Sequence, residues 1–194
     1  TCIDKDRIIA LCYLNMEDFG KAEKLLLALV NKNPEDAELT YTLASNYLAM
    51  GFEPKAITWY EKAVLVDASK SKWFFELGLL YSNTNNYKKA VIAYNKAAEL
   101  GFIKGNDFNE NLGFAYIYSS DFDNGARLLD DLISRRPGDK ELIRDIATAF
   151  YDSRNYDKSL DYCQKLLEMD MKDGKALYQA GLCFQKKGMT EKGM

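Results

Sequence analysis

The chain has 194 residues, 28% of them charged and 47% hydrophobic, which is enough for one large domain or a linear array. Its net charge of −3 gives no footprint for nucleic acid or an anionic membrane surface. It contains no His, and its four cysteines (Cys2, Cys12, Cys163 and Cys183) form no C-x-x-C pair, so the usual zinc spacings and His-dependent nucleophile pairs are absent.

No apolar run approaches the roughly 18 residues that a membrane helix needs, so membrane insertion is not expected. Thr1, not Met, opens the chain, so the lack of a signal peptide carries no weight. Unpaired cysteines favour a reducing compartment, the cytoplasm among them.

Along the chain a trio of residues recurs. It reads Ile9, Ala10 and Tyr13, then Leu43, Ala44 and Tyr47, then Leu77, Gly78 and Tyr81. It returns one residue late as Leu112, Gly113 and Tyr116, then as Ile146, Ala147 and Phe150, and finally as Ala180, Gly181 and Phe184. A fixed period of about 34 residues marks stacked supersecondary units, each burying its apolar face against its neighbours. Aligned on the trio, the repeats are 3–36, 37–70, 71–105, 106–139, 140–173 and 174–194. The third is one residue longer and the sixth is truncated.

Each complete repeat predicts two helices. The first covers repeat positions 1–14, with apolar residues at 4, 7, 8 and 11, as in Phe74, Leu77, Gly78 and Tyr81. That is the spacing of one helix face. Asp18, Asn86, Asp121 and Asn155 then precede an aromatic residue and are expected to cap the second helix. Pro54 is expected at the first helical position of its repeat. Asn33-Pro34, Gly101 and Pro137-Gly138 mark the turns that follow.

Position 8 is Ala10, Ala44, Gly78, Gly113, Ala147 and Gly181; position 20 is Ala22, Ala56, Ala90, Gly125, Ser159 and Gly193. Small residues on facing helices let two backbones approach closely. Cys12 and Cys183 share a repeat position on the apolar face and are expected to be buried thiols.

Phe74-x-x-Leu77-Gly78-x-x-Tyr81, followed by Tyr87, Ala90, Tyr94 and Ala97, resembles the tetratricopeptide repeat (TPR), and the likeness covers residues 3–194. Departures are local. The large aromatic of position 4 is present only as Phe74, and the turn proline is missing at Ala68, Phe102 and Met171. Leu29, Leu132 and Leu166 stand where the pattern has Ala.

The resemblance implies an all-α, right-handed α-solenoid of antiparallel helix-turn-helix units, with first helices lining a concave groove. It implies a protein–protein interaction module without enzymatic activity, cofactor or metal, which holds a peptide or partner helix in that groove. The groove positions of the family give Arg7, Tyr41, Lys72, Phe75, Glu110, Phe114, Tyr118, Arg144, Tyr151 and Tyr178 as partner-binding residues. Leu11, Ser45, Leu79, Asp107, Ile117, Thr148, Lys175 and Leu182 fall on the same strip.

One subclass grips a C-terminal carboxylate with Lys, Asn and Arg at set positions. Here the best register offers Arg7, Leu11, Thr42, Lys72 and Glu76. It lacks the asparagines, and Glu76 opposes an anion, so that clamp is not expected. The other expectations are a non-catalytic arm of a larger enzyme or secretion assembly, and end-to-end stacking through the truncated last repeat, with the natural chain continuing past Met194.

Overall fold

A computed structural model of the chain describes residues 2–189, with side chains from Lys5 onward. Its elements are α1 (Cys2–Asn15), α2 (Phe19–Lys32), α3 (Ala37–Ala49), α4 (Glu53–Val66), α5 (Ser71–Asn83) and α6 (Tyr87–Glu99). They continue as α7 (Asn106–Tyr118), α8 (Phe122–Arg135), α9 (Lys140–Asp152), α10 (Tyr156–Met169) and α11 (Gly174–Lys186). No strand occurs among the described residues. The fold is an all-α solenoid of helix hairpins, two helices per repeat. The second helix expected for the sixth repeat, with Gly193, falls outside the described residues.

Each hairpin turns through a left-handed residue at the same repeat position. These are Glu17 (φ 57°), Gly51 (76°), Asn85 (58°), Ser120 (72°), Arg154 (61°) and Gly188 (74°). The chain then reverses through paired amide bonds: Gly51 donates to the Leu48 carbonyl and Phe52 to that of Tyr47, both at 2.9 Å. These bonds satisfy carbonyls that a helix end leaves unpaired.

Asp18, Asp121 and Asn155 cap the second helices by accepting from the amides of Lys21, Asn124 and Lys158. Asn86 stands at the cap of α6 but makes no side-chain cap bond. Pro54 is the second residue of α4, not the first, because Glu53 opens that helix. The first helices have caps that the sequence reading missed: Asp36, Asp139 and Asp173 accept from the amides of Leu39, Leu142 and Ala176 at 3.0 Å.

The small residues of positions 8 and 20 meet as expected. A Cβ on Gly113 would lie 2.6 Å from Leu129 Cγ, and one on Gly125 would lie 3.0 Å from the Gly113 carbonyl oxygen. In the next repeat the Ser159 hydroxyl donates to the Ala147 carbonyl at 2.8 Å, a helix-to-helix bond with no intervening side chain. Around these approaches Tyr60, Tyr94 and Phe150 are fully buried, each worth about 1.5–3 kcal/mol of burial for a side chain of that size. Leu29, Leu132 and Leu166 are buried too, so the larger residue at that position is accommodated in the core.

Cys12 corrects the expectation of buried thiols. Cys183 and Cys163 are buried, but Cys12 is exposed. The shared position faces the second helix of the preceding repeat. Cys183 Sγ reaches Ser159 Oγ at 3.3 Å, and Asn46, at the same place, donates to the Phe19 carbonyl. Cys12 lies in the first described repeat, and among the described residues no second helix packs over it.

Packing divides the chain into two compact units, residues 1–103 and 104–194. The division falls at residues 100–105, a connection longer than the four-residue ones at 33–36, 67–70, 136–139 and 170–173.

Candidate functional site

In the first unit the first-helix face is built on Tyr41. Its ring lies flat on Trp73 (centroids 4.7 Å apart, 12° between planes) and meets Tyr60 edge-on at 5.5 Å. Its hydroxyl donates to Glu76 Oε1 at 3.3 Å. Burial first, and the Glu76 charge second, push the Tyr41 phenol up to about 12, so it is a neutral donor at any physiological pH. Lys72 is exposed, with its ammonium 3.6 Å from Glu76. Phe75 stacks on Phe102 at 4.5 Å and tilts against Tyr94 at 5.8 Å. Arg7 is held by Asp36 at 3.2 Å, and Leu11 is 43% exposed.

In the second unit Glu110 accepts from Arg136 at 3.0 Å. Phe114 and Tyr118 pack, half-buried, against the core around Phe150, while Ile117 is fully buried. Ile117 therefore leaves the strip on which the family pattern put it, because it fills the space beside Gly125. Tyr151 tilts against Tyr156 at 5.5 Å.

Arg144 donates through both terminal nitrogens to Asp173, at 3.2 and 3.0 Å. That bond, with the backbone amides of the α11 start, draws the Asp173 carboxyl down to about 2. Asp145, the next residue of α9, moves the other way: burial and the nearby Glu141 raise it.

A common arrangement connects these contacts. In each complete repeat a residue of the first helix reaches the connection that follows its own second helix. The pairs are Arg7 with Asp36, Glu38 with Lys70, Phe75 with Phe102, Glu110 with Arg136, and Arg144 with Asp173. Four of the expected groove residues (Arg7, Phe75, Glu110 and Arg144) therefore also tie a repeat together. The signal was present in the sequence, as complementary residue types at repeat position 5 (position 2 for Glu38) and at positions 31–34.

The structure brings Arg144, Thr148, Lys175 and Tyr178 together around one pocket of about 350 Å3 between α9 and α11. Ala147, Cys163, Leu166 and Ala176 form its apolar floor. Tyr178 is 69% exposed, the freest aromatic on this face. Burial pushes the Cys163 thiol up to about 12, which makes it an inert wall and no nucleophile.

Tetratricopeptide-repeat models match residues 9–71, 74–100 and 111–183, and the chain belongs to the tetratricopeptide repeat family. The repeats of this family form protein–protein interaction modules. Among human proteins the chain is 28% identical over 133 residues to Protein O-mannosyl-transferase TMTC1. It is 23% identical over 159 residues to General transcription factor 3C polypeptide 3. These matches cover 68% and 79% of the chain but only 15% and 18% of the relatives' own length.

Solved structures share the fold. A MamA protein superposes with a TM-score of 0.67 at 22% identity, covering 89% of this chain and 94% of that one. YrrB, a TPR protein with an unusual peptide-binding site, superposes at 0.57 with 21% identity, covering 87% of each. A tetratricopeptide repeat protein from Parabacteroides merdae superposes at 0.66 with 16% identity, covering 99% of this chain and 76% of that one. Among the described residues no helix is long and apolar enough to cross a membrane.

Proposed function

We propose that the chain is an adaptor or scaffold module that holds a peptide segment or partner helix against its first-helix face. The observation that carries this reading is the α9–α11 pocket, where an apolar floor is rimmed by Arg144, Thr148, Lys175 and the exposed Tyr178. A rigid aromatic beside convergent donors supplies contact area at low entropy cost and fixes orientation. In the first unit Tyr41, Lys72 and Phe75 make up a first-helix face of similar composition. YrrB supports the reading in kind, since it carries a peptide site on this fold.

The test is capture of partners from lysate by the wild-type chain and by Tyr178→Ala and Lys175→Glu, two exposed positions that leave the core intact. Loss of the same band in both variants supports the reading. Unchanged capture by both, with loss in a variant of the second-helix side such as Lys24→Glu, refutes it.

A second reading has one observation behind it. The chain matches less than a fifth of each human relative's length. On that reading the array is the non-catalytic arm of a larger protein, and the same face serves an intramolecular or assembly contact.

A further inference from the structure

The outer side of the first unit carries a pocket of about 370 Å3 between the second helices α2 and α4. Ligand sites occupy roughly 300–1,000 Å3, so it is large enough to hold one. The buried Val30 and Thr40 form its floor, Trp59 and Lys62 of α4 stand on one wall, and Leu65 and Val66 on its edge.

The pocket originates at repeat position 4. Phe74 holds that position in the third repeat and lies beside Val64 and Leu65 of the preceding second helix. Thr40 is its equivalent in the second repeat, beside Val30 of α2. Thr40 donates to the Asp36 carbonyl of its own helix start at 3.0 Å and brings no ring into the space. Trp59 is left bordering the opening, half-buried, whereas Trp73 is buried and stacked on Tyr41.

The lining holds one charged group and no acid. Lys62 carries its ammonium 3.9 Å over the Trp59 ring and pairs with no carboxylate among the described residues. The acids nearest it along the chain are engaged elsewhere: Glu61 with Tyr81 and Lys89, and Asp67 with Ser69 and Lys70. Lys32 and Glu35, on either side of Pro34, offset each other in charge. The pocket therefore joins an apolar floor and an indole ring to one uncompensated positive charge.

We infer that this pocket binds a linear segment of a partner protein in which a Phe or Leu side chain is flanked by an acidic one. The apolar side chain fills the space that Thr40 leaves, against Trp59, and the carboxylate meets Lys62. Tryptophan is among the residues that most often dominate binding. Leu65 and Val66, 83% and 39% exposed, continue the apolar surface past the mouth, so the ligand is a length of chain and not a small free acid. The site lies apart from the α9–α11 pocket and does not rest on it.

The chain has two tryptophans, so the indole N–H signal of Trp59 is read separately in nitrogen–proton NMR spectra, assigned with Trp59→Leu. Leu25 and Leu128 already hold leucine at that repeat position. The probes are three acetylated and amidated pentapeptides: Ala-Glu-Phe-Glu-Ala, the same peptide with Lys for each Glu, and the same peptide with Ala for Phe. The first is expected to shift the Trp59 signal with a Kd of about 1 mM or tighter, and the other two to bind about tenfold or more weaker.

Lys62→Gln, at an exposed position, is expected to weaken the first peptide about threefold or more and to remove most of its advantage over the Lys peptide. Thr40→Phe places at position 4 the residue that the third repeat holds there, and the variant is expected to lose the shift while its melting temperature shows it folded. Should it unfold, Lys62→Gln decides the matter alone. Equal affinity for the Glu and Lys peptides, equal affinity without the Phe, full binding by folded Thr40→Phe, or no shift up to about 10 mM overturns the inference.

Discussion

A methyl group on Gly78 would lie 2.6 Å from Cδ1 and Cε1 of the Tyr94 ring, so the third hairpin closes with an aromatic face laid on bare backbone. Ala is the better helix former by about 1 kcal/mol, yet Gly78→Ala is expected to destabilise, because overpacking costs roughly 1–3 kcal/mol and the buried ring has no free space to move into. Gly78→Leu should cost more than Gly78→Ala. Gly20, with nothing within 4 Å of its added Cβ, is the control. Gly20→Ala should raise the melting temperature while Gly78→Ala lowers it, and equal shifts would show that the ring does not bear on the glycine.

The left-handed turn position gives a stabilising series. A non-glycine residue in that conformation costs roughly 1–2 kcal/mol, partly offset by the entropy glycine loses on folding. Ser120→Gly and Arg154→Gly should each gain about 0.5–1 kcal/mol in chemical denaturation. Asn85→Gly should gain less, since Asn tolerates the region.

Acid sensitivity should centre on the Arg144–Asp173 tie. The folded carboxyl is drawn to about 2, below its unfolded value. Between those values the unfolded state binds more protons, so the contribution is complete above about pH 4 and is lost as pH falls toward 2. Asp173→Asn keeps a capping side chain but cannot titrate. Its unfolding midpoint should fall less steeply than wild type across that window, and parallel curves would assign the acid limb to other groups.

The aromatic residues of the first-helix face should divide by what they touch. Tyr41 and Phe75 are stacked on Trp73 and Phe102, so Tyr41→Ala and Phe75→Ala should lower the melting temperature, each losing roughly 0.5–1.5 kcal/mol of ring pairing in addition to area. Tyr178→Ala should leave it unchanged. A partner-binding assay must therefore rest on Tyr178 and Lys175, with thermal melts run beside it.

Thiol chemistry should separate the cysteines. Cys12 is exposed, whereas burial keeps Cys163 and Cys183 protonated. A maleimide reagent at neutral pH should label Cys12 in the native protein and reach Cys163 and Cys183 only on unfolding. Mass mapping of wild type against Cys12→Ser reads this directly.

The hairpins were legible because their cause is local and repeated. The trio around Gly78 and the small residues at Ala90 and Gly125 report a close helix approach wherever they occur, and so does Ser159 once its hydroxyl is allowed a backbone partner. Cys12 was misread because its repeat position says which way it points but not whether a neighbour stands there. The first-helix strip was legible only as a set of repeat positions, and pairings such as Phe75 with Phe102 depend on where an irregular connection places a side chain.

The tie between each first helix and the connection beyond its second helix acts as an address. Arg7 and Arg144 expect an aspartate there, Glu38 a lysine, Glu110 an arginine and Phe75 an aromatic ring. The repeats share one hairpin but not one lock. Joining the α1 half of the first repeat to the α4 half of the second would set Arg7 against Lys70 in place of Asp36, two like charges at a joint closed by opposite ones. Such recombination preserves the helix pattern and loses the join, so which first helix goes with which second helix and connection is specified and not interchangeable.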